Sequence, residues 1–322
     1  MSYRLLIALG AGLVSAVVFA SATTGPLLMR MVLFLLTPLA LFLAGLGLGP
    51  LAAVVAGAAG ATLVLVAGTP LGALVFAVSQ ALPVIILTYL ASLHRQSGDG
   101  TTEWYPVGRL VIAAALIAGA FASLTLLLLG ADTEALRAAL REMLQAFVDS
   151  ELPNIPSEMP TPRLGPAEID EATAIALALL PAASAISSMG SYLFNLWLAG
   201  RITLASGRLE RPWPDLAAIV YPPVTPLLLA LATGAGFLAG LPGMMAAGFA
   251  GALFFAYVLL GLAVVHYVTR GRPWRVFALW ALYASLFVMN TVASLAIALL
   301  GLAEAIWPMR KLKPPPDGPP SQ

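Results

Sequence analysis

The sequence predicts an all-α fold, a polytopic transmembrane bundle of eight to nine helices with an amphipathic helix in one large outer loop. Charge placement carries the prediction. Residues 5–29, 31–93, 110–131, 172–200, 216–269 and 276–303 contain no Asp, Glu, Lys or Arg. A helix needs about 20 apolar residues to cross the roughly 30 Å hydrocarbon layer, so these runs hold eight or nine crossings. Composition agrees, with 60% hydrophobic residues, 10% charge and a mean hydropathy of +0.95, far outside the range of soluble domains. No soluble enzyme domain of useful size remains between the apolar runs.

Breakers set the elements in order. Thr24-Gly25-Pro26 divides helix 1 from helix 2, residues 45–50 with three glycines and Pro50 end helix 2, and Gly68-Thr69-Pro70 ends helix 3, since Gly and Pro are the strongest local punctuators. Helix 4 then runs to about residue 93. Helices 5 to 9 fall at about 107–129, 169–205, 224–238, 244–269 and 274–306. Arg4, an apolar run and Ala20-Ser21-Ala22 imitate a cleavable leader, but an uncleaved first helix is expected in a chain with this many crossings.

Arginine placement orients the bundle, because Lys and Arg accumulate in short cytoplasmic loops. Arg4, Arg95, Arg109, Arg201, Arg208, Arg211, Arg270, Arg272 and Arg275 share one side if helices 1 to 8 alternate. The expected localisation is a bacterial cytoplasmic (inner) membrane with the N-terminus in the cytoplasm. A single ninth crossing would place Arg310, Lys311 and Lys313 on the opposite side, whereas a break at Asn290-Thr291 would return them but leave halves of only about 15 residues, short for a span. Residues 1–309 read as one transmembrane domain and 310–322 as a disordered, Pro-rich tail. Within the outer loop, 132–171, nine acids oppose Arg137, Arg141 and Arg163. Leu136, Leu140, Met143, Leu144 and Phe147 recur there at helical spacing, predicting an amphipathic helix.

Several chemistries are excluded. With no cysteine and two histidines, thiolate metal sites and disulfides are ruled out and most metal cages lack ligands, so no metal and no cofactor is expected. A net charge of +1 gives no basic footprint for nucleic acid. No His-Glu-x-x-His, phosphate-binding Gly-rich loop or mid-membrane aspartate pair occurs, and Ser191 with His266 makes at best an incomplete dyad. No catalytic residue is assigned.

Neutral polar groups are the remaining candidates. On helix 6, Ser184, Ser187, Ser188, Ser191 and Asn195 share one face just past Pro181; on helix 9, Tyr283, Asn290 and Ser294 share another. Either stripe can line a solute cavity or hydrogen-bond neighbouring helices. Ala8, Gly12, Ala16 and Ala20 place small residues at four-residue spacing on helix 1, a face for close helix packing or for a membrane protein partner.

Three segments carry a family resemblance: Leu35-Leu36-Thr37-Pro38-Leu39 with the glycine-rich stretch 45–60, Arg272-Pro273-Trp274-Arg275-Val276-Phe277 leading to Leu282-Tyr283, and Leu300-Gly301-Leu302-Ala303-Glu304 with Arg310-Lys311. In these the chain resembles the YybS-like bacterial membrane proteins, the domain of unknown function 2232. The resemblance implies a fold similar to the substrate-binding S components of energy-coupling-factor vitamin transporters, which hold a nutrient in a helical bundle and dock through small residues of their first helix. Nine crossings and an acidic outer loop depart from that pattern. The expected function is binding or transport of a small neutral or amphipathic solute through helices 6 and 9, within the lipid bilayer. The alternative is a non-enzymatic membrane scaffold for envelope assembly or lipid organisation.

Overall fold

The computed structural model describes residues 3–96, 98, 102–128, 133–151 and 165–312. The Pro-rich end of the expected tail and the middle of the outer loop lie outside the described residues. Thirteen α-helical segments are present: α1 Tyr3–Ser21, α2 Leu27–Leu36, α3 Leu39–Leu48, α4 Pro50–Ala67, α5 Pro70–Phe76, α6 Leu82–Ser92, α7 Val107–Leu128, α8 Thr133–Glu151, α9 Pro166–Ala205, α10 Thr225–Ala235, α11 Leu241–Val268, α12 Arg275–Val288 and α13 Asn290–Ile306. Seven helical stretches among the described residues are long and apolar enough to cross a membrane, counting α2 with α3 and α5 with α6. The predicted all-α membrane bundle is present.

Prolines and a π-turn explain the divided crossings. Pro38 has no N–H to continue the α2 ladder, and α3 restarts after it. Between α5 and α6 the chain widens into a π-helical turn, Ala77–Ala81, with Ser79 and Gln80 buried. Around the core, small residues set the spacing. A Cβ at Gly12 would strike the Ala56 carbonyl, and one at Gly301 would strike that of Tyr257, so α1 lies backbone to backbone on α4 and α13 on α11.

Predicted helix 7, at about 224–238, is present as α10 with its start kept and its end drawn in to residue 235. Residues 206–224 enter the bundle as irregular chain with a 3-10 turn at Leu216–Ala218, and only then does the eleven-residue α10 begin, at buried Thr225. Eleven residues rise about 16 Å, half a crossing. Pro212, Pro214, Pro222 and Pro223 hold this stretch out of helix.

Predicted helix 9 is broken at Met289, next to the Asn290-Thr291 position. Arg275, at the start of α12, donates to the carbonyl of His266 near the end of α11. α13 then runs back in the direction of α11: Gly301 lies on Tyr257, and Arg310 lies 6.0 Å from the Tyr267 ring. The hairpin returns the chain to its arginine-rich end, which removes the conflict posed by a single ninth crossing. The folded chain also extends past residue 309, because a 3-10 turn covers Met309–Leu312 and Arg310 is buried.

α8 packs along the start of α9 through Arg141 and Asp170 at 2.9 Å, and Leu136 and Leu140 bury against Leu126, Leu177 and Met244. It caps the end of the bundle opposite the arginines. A two-stranded hairpin, β1 His94–Gln96 and β2 Thr102–Trp104, joins α6 to α7.

Candidate functional site

A cavity of about 780 Å³ opens at the arginine-rich end between α7, α9, α11 and the irregular segment before α10. Its body is apolar, formed by Leu110 and Val111 of α7, Leu193, Leu196 and Trp197 of α9, and Leu259, Leu262 and Ala263 of α11. Its rim is polar, carrying Arg211, Asp215, His266, Arg270, Arg275 and Tyr283. Apolar walls with a few convergent polar groups are the usual make-up of a small-molecule site, and this volume is within the customary range.

Each polar group is fixed by the local chain. The Arg211 guanidinium donates to the carbonyls of Tyr105 at 2.8 Å and Ala91 at 3.5 Å, tying the segment to the ends of α6 and α7. Burial lowers its pKa, yet a guanidinium stays charged at any neutral pH. Asp215 takes both arms of Arg270, each at 2.8 Å. The hydrogen bond from Arg270 holds the Asp215 carboxyl below its ordinary value, against an opposing push from partial burial, and in return Asp215 raises Arg270. Arg275 donates to the His266 carbonyl at 2.9 Å, and His266 Nε2 lies 2.9 Å from the Tyr283 hydroxyl. Arg201 stacks over Trp213 at 5.1 Å, closing one side of the mouth.

Behind the wall sits a buried ion pair. Arg310 Nε donates to Glu304 at 2.9 Å, and its two terminal nitrogens donate to the carbonyls of Ala217 and Ile219, both at 2.6 Å. Ala217 and Ile219 also line the cavity. Glu304 is 5% exposed.

The sequence-predicted polar groups divide between this chamber and other tasks. Tyr283 lines the chamber. Ser191 Oγ and Asn195 Nδ2 instead meet the Leu35 carbonyl, at 2.9 and 2.6 Å, where the α2–α3 break leaves it without a helical donor. Ser184 donates to the Pro181 carbonyl of its own helix, and Ser188 is buried. Asn290 is exposed at the α12–α13 turn and reaches half-buried Ser294 at 3.5 Å, so Asn290 does not face a protein cavity. On helix 1, Ala8, Gly12 and Ala16 are buried within the chain, with Gly12 against α4, and Ala20 is exposed. Ser191 and His266 belong to separate hydrogen-bond sets.

Residues 13–304 match the family described as predicted membrane protein, domain of unknown function 2232. The chain belongs to this family. The match to domain of unknown function 2232 takes in the second half of α1, the other six long apolar stretches whole, and the chamber. No curated protein and no solved structure matches the chain. Among the described residues no His, Cys, Asp and Glu cluster could hold a metal ion.

Arg211, Trp213 and Arg275 were not singled out from sequence as site residues, although a signal was present. Arg-Pro-Trp occurs twice, at 211–213 and 272–274, and both copies flank the mouth. Proline stops a helix there, while Trp and Arg suit an interface.

Proposed function

We propose that this member of the domain of unknown function 2232 family binds or transports a small amphipathic solute in the chamber between α7, α9 and α11, and is not an enzyme. The observation that supports this reading is the 780 Å³ chamber with apolar walls and a polar rim. A second cavity of about 500 Å³, between α9, α10, α11 and α13, is almost wholly apolar and suits lipid tails without selecting a head. The arginine-rich end is taken as cytoplasmic, in a bacterial inner membrane, which places the N-terminus and the mouth of the chamber inside.

The scaffold reading draws less support, since Ala8, Gly12 and Ala16, the face most suited to a partner, are covered within the chain.

Native mass spectrometry of the purified protein tests the proposal. An amphiphile should be retained, and Ala263→Phe, which fills the chamber, should lose it while Leu299→Phe, in the apolar side cavity, keeps it. Absence of any retained amphiphile, or equal retention by the two variants, would overturn the reading.

A further inference from the structure

We infer that the chamber takes an amphiphile whose head is an oxyanion, a carboxylate or phosphate, received between Arg211 and Arg275 at the mouth. The inference rests on the binding proposed above and adds the chemistry of the head. Charge at the rim does not cancel. Arg270 is neutralised by the paired arms it extends to Asp215, but no carboxylate among the described residues pairs with Arg211 or Arg275. Arg211 spends donors on the Ala91 and Tyr105 carbonyls, and Arg275 on the His266 carbonyl and, at 3.5 Å, the His266 ring Nδ1. A guanidinium has five N–H donors in a planar fork, so both retain donors suited to an oxyanion.

Both arginines are partly buried and line the same cavity. A cation removed from water without a counter-charge is costly, and an anionic head between them would offset that cost. Tyr283 supplies a hydroxyl at the same rim. The wall behind is aliphatic, which fixes polarity: tail inward along Leu196 and Leu259, head at the interface. A neutral head would leave two guanidiniums facing the mouth unmatched, and a cationic one would be repelled.

The test uses full-length protein in phosphatidylcholine nanodiscs, with quenching of Trp197 and Trp213, which line the chamber, by tail-brominated dodecyl phosphate, dodecanoate and dodecanol. Both anions should bind more tightly than the alcohol. Arg211→Gln and Arg275→Gln should each weaken the anions by about tenfold or more and leave dodecanol unchanged. Because Arg211 also ties helices together, wild-type protein supplies an arm that needs no variant: rising salt should weaken the anions and not the alcohol. Equal binding of all three probes, insensitive to salt and to both variants, overturns the oxyanion head while leaving an amphiphile site in place. Binding of none overturns the site itself. Inorganic phosphate displacing the anions at equal concentration overturns the amphiphile part, since the head alone would then account for binding.

Discussion

Arg310→Met should destabilise the protein out of proportion to its place near the end of the fold. Arg310 and Glu304 are 7% and 5% exposed. The guanidinium makes three contacts, to Glu304 Oε1 at 2.9 Å and to the carbonyls of Ala217 and Ile219 at 2.6 Å. Methionine approximates the volume and keeps none of them. The Glu304 carboxylate would retain the main-chain N–H of Met309 at 2.9 Å and, at 3.4 Å, that of residue 310, too little for a buried charge. Removing one partner of a buried pair costs about 3–5 kcal/mol. Adding Glu304→Gln removes the unmatched charge, so the double variant should recover part of the loss and remain below wild type by about 1–3 kcal/mol for the opened carbonyls. Unfolding in mixed micelles, followed by tryptophan fluorescence, reads these differences. Arg272→Met, at an exposed position with no ion pair among the described residues, is the reference and should stay within about 0.5 kcal/mol of wild type. The reasoning is refuted if Arg310→Met matches that reference, or if the double variant is no more stable than the single.

The remaining predictions concern helix contacts and one titrating pair. Gly12→Ala should cost about 1–3 kcal/mol by forcing α1 away from the Ala56 carbonyl, whereas Gly10→Ala, with open space at its Cβ, should be neutral or stabilising in the same unfolding assay. Ser191→Ala should cost about 0.6 kcal/mol, the average for an interhelical hydrogen bond in a membrane. Asn195→Ala should cost more, because Asn195 makes the shorter bond to Leu35, and a double-mutant cycle should show the two coupled through that carbonyl. Asp215 titrates below its ordinary value because Arg270 favours its charged form. Its contribution is therefore complete above the unfolded value of about 3.9 and lost as pH falls through the lower folded value. The stability difference between wild type and Asp215→Asn should be flat down to about pH 5 and shrink below about pH 4, and with both side chains about half exposed it should not exceed about 1 kcal/mol.

Periodicity and punctuation made most of the bundle legible. Charge-free runs located α1, α4, α7, α9 and α11, because an uncharged run of that length has one stable arrangement in lipid. Leu136 and Leu140 announced the buried edge of α8 by helical spacing alone. Depth was what sequence could not supply. The start of helix 7 near residue 224 was legible within the apolar run 216–269, but not that α10 would be only eleven residues long. Hydropathy registers burial, and apolar coil buried in protein scores the same as apolar helix in lipid. Ser191 and Asn195 of the α9 stripe meet a carbonyl that the α2–α3 break opens at Leu35, 156 residues before Ser191 in sequence, a relation no local pattern contains. The chamber was legible least, since its rim is assembled from two connecting segments and adjoining turns of α11 and α12, and its walls from helices distant in the chain.

Those same connections give the arginines a second purpose. Irregular backbone at membrane depth is tolerated only where its polar groups are satisfied by protein or water, and 206–224 contributes many such groups. Arg310 takes the carbonyls of Ala217 and Ile219, while Arg211, from within the segment, anchors it on Ala91 and Tyr105. Tyr221, also buried, donates to the Ala256 carbonyl inside α11, and Arg270 holds Asp215, which in turn accepts from the Ala217 N–H. Arginines gathered at this end thus stabilise the irregular segment by their hydrogen bonds. Lysine, with a compact point charge in place of a planar fork, would serve orientation equally and this second purpose poorly. Replacing Arg310 or Arg211 by Lys should accordingly preserve membrane topology, read by reporter fusions at either end, while lowering stability in the unfolding assay. Unchanged stability in both would show that positive charge alone accounts for arginine at these two positions.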